Sequence, residues 1–262
     1  MTAERPLQLR LAAIAPLLGA QADALAELCR RAVRVDRNTA LVEQGEPFQR
    51  AGVLVDGWAV KLRYLADGRR QIVDFLLPGS LIAPESALFE CADCSVLTLE
   101  EATLGTLTRD AWAELLLDSP RLLTAVQWLQ QCDDAIAAER LASLGQRSAR
   151  ERIAHLLLEL RTRGRAVGLF PGSYLDMPVT QSMLGDALGL STVHVNRSMQ
   201  SLRRDGLIEQ ERGGVLLRDP AGLRWVAAFE DDYLQPRLPP GPLWDAPARP
   251  AFAAADDSDT AA

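Results

Sequence analysis

Between Val179 and Gly206 the chain gathers side chains suited to reading the edges of nucleic-acid bases. Thr192, His194, Arg197, Gln200, Arg203 and Arg204 fall on one side of a helical projection, with Val195, Met199 and Leu202 on another. An arginine can make a bidentate pair with guanine, Asn and His can donate or accept at base edges, and a small apolar side chain can meet a thymine methyl. Arg197, Thr192, Val193, His194 and Asn196 are the expected base-reading set, with Arg197 central. Thr180, Gln181, Ser191, Arg203 and Arg204 are the expected phosphate contacts, which fix register without carrying sequence information.

Those residues need a scaffold, and the flanking sequence supplies one. Thr180 caps a short helix whose inner face holds Leu184, Ala187 and Leu188. Gly189 permits a sharp turn, Leu190 packs beneath it, and Ser191 caps the second helix. After Asp205-Gly206, the strands Leu207–Gln210 and Val215–Arg218 flank Glu211-Arg212-Gly213-Gly214, which reads as a hairpin wing. A helix-Gly-helix alone is also a structural αα-hairpin. The wing and the polar outer face favour a helix that enters a DNA groove.

A second chemistry would belong to sulfur. Cys91 and Cys94 have ligand-like spacing, but they lie between strands. A four-thiolate cluster would require Cys29, Cys91, Cys94 and Cys132 to converge. Cysteines that serve as small buried apolar residues are the simpler reading, with Cys91 and Cys94 as redox-sensing thiols the alternative. The chain has no Gly-rich phosphate loop, HExxH or nucleophile elbow, and Glu100-Glu101 reads as a solvated strand edge, so an enzyme is not expected. No cofactor or metal is expected either.

The net charge of −7 and pI near 5.0 argue mildly against a nucleic-acid partner. From Arg150 to Arg224, however, Arg outnumbers Asp and Glu, 11 to 8. Local charge matters more than the total. No apolar run is long enough for a membrane span and no signal-peptide core stands at the N-terminus, so a cytoplasmic protein with no membrane contact is expected.

Upstream, Leu25, Leu28 and Cys29 share a helical face. Gly45, Gly57, Gly68 and Gly79 then punctuate short apolar stretches at Gly52–Val55, Ala59–Tyr64 and Gln71–Leu76. Asp67-Gly68 is a hairpin-turn signature, and Ser95–Leu99 and Ala102–Leu107 read as closing strands. Arg109–Leu117 reads as a helix. Ser119-Pro120 opens another that runs to about Leu144. Along it Leu122, Val126, Leu129, Asp133 and Ile136 alternate by four and three, the pattern of a two-helix seam. The alternative is a helix packed on its own β-roll. Ser148-Ala149-Arg150-Glu151 is a capping box that opens the next helix.

The sequence predicts an α+β chain: a jelly-roll-like antiparallel β-roll over residues 1–118, a dimerisation helix over 119–147, a winged helix-turn-helix over 148–235 and a disordered tail over 236–262.

In these segments the chain resembles the cyclic-AMP receptor/fumarate-nitrate regulator (Crp/Fnr) family of bacterial transcription regulators. The resemblance rests on Leu41–Glu46, on Asp67–Phe75 followed by Pro78-Gly79, on Ser119-Pro120, and above all on Leu184-Gly185, Leu188–Ser191, Val195-Asn196-Arg197 and Leu202–Ile208. It implies a homodimer that binds an inverted repeat in double-stranded DNA, with RNA polymerase as a further partner and a sensor roll that sets the pose of the reading helices.

The departures bear on the signal. Cyclic-nucleotide-binding members carry Gly-Glu and then Arg-Ser in the stretch after Pro78-Gly79. Here Pro84 stands near the acidic position and Asp93-Cys94 where Arg-Ser would fall. A phosphate there would lose its cation and meet a like charge. Ala137-Ala138 stand where such relatives offer hydroxyls. The first 28 residues lack the cysteine run of the iron–sulfur relatives, and both histidines, His155 and His194, lie beyond the roll, which excludes haem ligation by His in the sensor. Related regulators often carry Glu where Val193 stands, so their half-site is not expected to transfer unchanged. Two other classes compete: an interaction module with a structural helix-turn-helix, and a thiol or metal redox regulator.

Overall fold

A computed structural model describes residues 5–11 and 21–234; the expected tail, 236–262, lies outside them. Two short helices, α1 (Arg5–Arg10) and α2 (Gln21–Arg30), precede the roll. One sheet has the order β1-β8-β3-β6, from β1 (Val33–Val35), β8 (Ala102–Thr108), β3 (Arg50–Asp56) and β6 (Leu81–Ile82). The other has the order β2-β7-β4-β5, from β2 (Ala40–Val42), β7 (Ser95–Thr98), β4 (Ala59–Tyr64) and β5 (Arg70–Leu76). All pairings are antiparallel. Phe48, Leu54, Ala59, Leu76, Ile82, Val96 and Leu104 fill the space between the sheets.

Helix α3 (Arg109–Leu117) is capped by Thr108 and leads to the long helix α4 (Pro120–Gln146), capped by Ser119 with proline in its first turn. The chain breaks at Arg147. Ser148 and Glu151 then form the capping box of α5 (Ala149–Ala166). Beyond it come β9 (Tyr174–Asp176), α6 (Gln181–Leu188), α7 (Thr192–Arg204), β10 (Ile208–Glu211), β11 (Gly214–Leu217) and α8 (Pro220–Ala227), then a 3-10 turn at Asp232–Leu234. The wing is three-stranded, β10-β11-β9, because Tyr174–Asp176 adds a short edge strand.

The apolar stripe of α4 has a partner in its own chain. Leu122, Val126, Leu129 and Ile136 are 0%, 4%, 2% and 5% exposed. The first three pack with Leu7, Leu25, Leu28, Val53 and Trp112 from α1, α2, β3 and α3. Asp133 has an in-chain partner, its Oδ1 lying 2.8 Å from Nη2 of Arg10. Of the residues expected in a two-helix seam, Leu122, Val126, Leu129 and Ile136 are thus covered within their own chain, and Asp133 is engaged by Arg10. A side chain already buried by its own roll has no apolar surface left to offer a partner. The outward face of α4 carries Leu123, Gln127, Gln131, Asp134, Ala138 and Leu141, again spaced by four and three. Leu123 and Leu141 remain 47% and 70% exposed.

The outer face of the second sheet is covered too. Val60, Leu62, Ile72 and Phe75 join one core with Ile153, Leu157, Leu184 and Leu188 of the C-terminal domain. This explains why β4 does not alternate cleanly: Ala59 points into the roll while Val60 meets the neighbouring domain.

Candidate nucleic-acid interface

Thr180 and Ser191 cap the two helices of the turn, their hydroxyl oxygens accepting from the N–H groups of Met183 and His194. Each hydroxyl still has a proton to donate outward, and both residues are exposed. Gly189 ends α6 in the left-handed region at φ +63°, a conformation costly for a side chain with Cβ. Gly185 serves a close approach. A Cβ there would lie 2.5 Å from the carbonyl oxygen of Leu190. Leu184, Ala187, Leu188, Val195, Met199 and Leu202 close the interior beneath.

The outer face of α7 is solvent-facing. Thr192, Val193, His194, Asn196, Arg197, Gln200, Arg203 and Arg204 are all exposed, Val193 by 57%. Asn196 donates through Nδ2 to Oε1 of Gln181 at 3.3 Å, which ties the middle of α7 to the start of α6. The side chains of Arg197, Arg203 and Arg204 form no ion pair or hydrogen bond with any described residue. By contrast Arg70, Arg140, Arg150, Arg163, Arg218 and Arg224 are paired with carboxylates. Arg150 neutralises Asp205 just past α7 at 2.6 Å, so the end of that helix keeps its positive character. A concave surface formed by Gln200, Arg203, Arg204, Ile208, Glu209 and Arg218 runs from helix to wing. Arg212 is exposed at the wing tip beside Gly213, a cation that reading the helices alone leaves out. Its sequence signal was the Arg-Gly-Gly turn.

Several contacts seat this surface on the roll. Arg70 of β5 meets Asp186 of α6 at 2.7 Å, and Gln71 donates to the carbonyl of Ala187. Arg152 donates to the carbonyl of Leu188, which satisfies a helix-end acceptor. Deeper lies an ionic cluster. Arg163 grips Asp74 of β5 through both Nη atoms at 2.8 and 3.0 Å and donates to the Phe75 carbonyl. Arg140 of α4 reaches Glu159 at 2.5 Å and the Val73 carbonyl at 2.8 Å. Tyr233 donates to the other oxygen of Glu159. Burial alone would raise the Asp74 carboxyl, but Arg163 and Arg140 outweigh it and hold the pKa below the usual range.

His155 sits beside this cluster, 4.9 Å from the Phe229 ring and stacked on Tyr233. Its Nε2 is 3.2 Å from Glu139 without a well-aligned hydrogen bond. Burial, helped by the charge of Arg147, pushes its pKa down to about 4. The unfolded chain takes up this proton near pH 6.5 while the folded chain refuses it. Stability is therefore expected to fall as pH drops from about 6.5 towards 4, by about 1 kcal/mol per unit. Urea titrations across that window check this. His155→Phe should flatten the slope, and an unchanged slope would place its origin elsewhere.

None of the four cysteines is in a disulfide, and they stand in unlike surroundings. Cys91 is exposed, Cys94 and Cys29 are buried, and Cys132 is half-buried. Burial and the neighbouring Asp93 raise the Cys94 thiol, which works against a reactive thiolate. Among the described residues no group of three or more His, Cys, Asp or Glu side chains could hold a metal ion. No described helix is long and apolar enough to cross a membrane.

Residues 32–119 match the model of the cyclic nucleotide-binding domain, and residues 151–225 that of the Crp-like helix-turn-helix domain. The chain is 31% identical over 166 residues to the nitrogen fixation regulation protein FixK of Bradyrhizobium diazoefficiens, which covers 63% of this chain and 69% of that one. It is 27% identical over 196 residues to the transcriptional activator protein FnrL of Cereibacter sphaeroides, 73% and 78% of the two chains. The solved structure of FixK2 from Bradyrhizobium japonicum superposes with a TM-score of 0.69 at 22% identity, covering 76% of this chain and 98% of that one. Roll, long helix and winged helix-turn-helix thus recur in order in named regulators, and the chain belongs to the Crp/Fnr family of DNA-binding transcription regulators.

Proposed function

We propose that this regulator acts in the cytoplasm as a homodimer, without enzymatic activity. It reads an inverted repeat with half-sites about one helical turn (~10–11 bp) apart. Arg197 makes the main base contact, most simply to guanine, and Thr192, Val193, His194 and Asn196 tune its neighbours. Thr180, Gln181, Ser191, Arg203 and Arg204 hold phosphates. RNA polymerase is the onward partner. The observation that carries this reading is the set of exposed, unpaired arginines on one face of α7, in a molecule whose other arginines mostly have partners. Selection from a random duplex pool tests it. Enriched sequences should share a two-fold symmetric pattern at that spacing, and an enriched pool without symmetry would overturn the proposal.

The dimer is assigned to the outward face of α4. Leu141→Asp should dissociate it in sedimentation while leaving a folded monomer. Leu129→Asp, at a position 2% exposed inside the chain, should unfold the protein instead. If Leu141→Asp stays dimeric, the seam lies elsewhere.

The roll has no grip for a cyclic nucleotide. The cavity between it and α4 measures about 180 Å³, below the ~300 Å³ at which small-molecule sites begin. Asp74, Glu85, Asp133 and Asp134 line it with Lys61, which is paired with Glu85 at 3.5 Å. A phosphodiester would find no unpaired cation in this lining, because Lys61, its one cationic residue, already faces Glu85. Calorimetry with cyclic AMP or cyclic GMP should give no saturable heat at micromolar concentration; a micromolar isotherm would contradict this.

A further inference from the structure

A second cavity, of about 350 Å³, lies where α1, the Leu77–Ser80 loop, α4, α5 and the 3-10 turn at Asp232–Leu234 meet. Its size falls within the range of small-molecule sites. Leu9, Leu77, Trp128, Leu129, Ile136 and Leu234 give it mainly apolar walls. Two polar side chains in the lining are already committed elsewhere. Arg163 spends its donors on Asp74, Glu159 and the Phe75 carbonyl, and the Tyr233 hydroxyl goes to Glu159.

Arg10 is different. One Nη meets Asp133 at 2.8 Å, while the other lies 3.4 Å from both the Gly79 carbonyl and the Ser80 hydroxyl, the long limit of a hydrogen bond. A guanidinium carries five donors in a fork that matches a carboxylate. Donor capacity therefore remains at one end of an apolar cavity. Cys132 also lines the space, and burial pushes its thiol up to about 11, so it faces a ligand as a neutral thiol and not as a nucleophile.

We propose that this cavity is a binding site for a small monocarboxylate with an aromatic or aliphatic body, its carboxylate on Arg10 and its body against Trp128, Leu129 and Ile136. A dicarboxylate would leave a second charge against apolar walls or beside Asp133. Because the walls come from the roll, the long helix and the DNA-reading domain together, occupancy bears on how those parts sit. That consequence rests on the DNA-reading function proposed above. Binding itself does not.

Calorimetry on the full chain without DNA tests the site, using 4-phenylbutyrate, its alcohol 4-phenylbutan-1-ol, and glutarate. The expected result is saturable binding of phenylbutyrate, with the alcohol at least tenfold weaker and glutarate silent. Asp133→Asn frees Arg10 from its competitor and should tighten phenylbutyrate several-fold, while Arg10→Gln should reduce it to the level of the alcohol. Cys132→Phe fills the cavity and should abolish binding, with a thermal melt confirming that the variant folds. No saturable binding to the wild type, equal binding of acid and alcohol, no tightening in Asp133→Asn, or binding that survives in a folded Cys132→Phe would each overturn the proposal. None of these outcomes touches the selection experiment, so the two readings fail separately.

Discussion

Replacing Glu159 by Gln is expected to destabilise the protein by about 3–5 kcal/mol, which no surface ion pair would do. Glu159 is 1% exposed and accepts from Arg140, Arg163 and Tyr233 at once. With Asp74, the cluster holds two cations and two anions, all in buried or nearly buried positions. Neutralising one carboxylate leaves a buried guanidinium without its counter-charge. The amide of Gln can replace part of the hydrogen bonding but none of the charge. Urea denaturation measures the loss. The cluster also joins β5 to α5, but the apolar core shared by the roll and the DNA-reading domain remains, so the variant should still unfold in one transition. The double variant Arg140→Met/Glu159→Met, which removes opposite charges together, should recover much of the stability. A Glu159→Gln protein within 1 kcal/mol of wild type would show the cluster to be energetically idle.

Nothing in the sequence singled out this cluster, and the reason is physical. Arg140 and Glu159 lie 19 positions apart on two helices, and their meeting depends on the break at Arg147. Local signals fared better. The cap at Ser119, the box at Ser148–Glu151, the caps at Thr180 and Ser191 and the glycine at 189 each act within a few residues, and each appears in the structure. The strand Ala59–Tyr64 and the helix Arg109–Leu117 were legible to the residue. Short edge strands such as Val33–Val35 and Tyr174–Asp176 were not, because three residues carry no periodicity. The stripe on α4 marks the limit of pattern reading. Spacing by four and three reports that a helix face is covered, but not by what. Here α1, α2, α3 and the roll cover it, and a second stripe with weaker apolar content, from Leu123 to Leu141, faces outward. The exposed face of α7 was legible because its apolar and polar residues separate cleanly around one helix.

That face bears the second large effect. Arg197→Ala is expected to cost ~1–3 kcal/mol against the preferred half-site and to relax specificity at one base pair in each half-site. Arg197 is exposed, lacks a partner among the described residues, and lies one turn beyond Val193 on the same face. It can therefore reach a base edge without first breaking an ion pair, and no internal competitor lowers the gain. Arg204 stands in the last turn of α7, next to the wing strands, where a phosphate is the nearer target. Arg204→Ala should weaken every sequence alike and reduce the slope of log affinity against log salt by about one unit per subunit. The two substitutions thus separate in kind as well as in size. Competition binding with single-base variants of the selected operator, repeated at two salt concentrations, reads both. If Arg197→Ala weakens all variants equally and changes the salt slope as Arg204→Ala does, Arg197 is a phosphate clamp, and base reading passes to Thr192, His194 and Asn196 at the start of the helix.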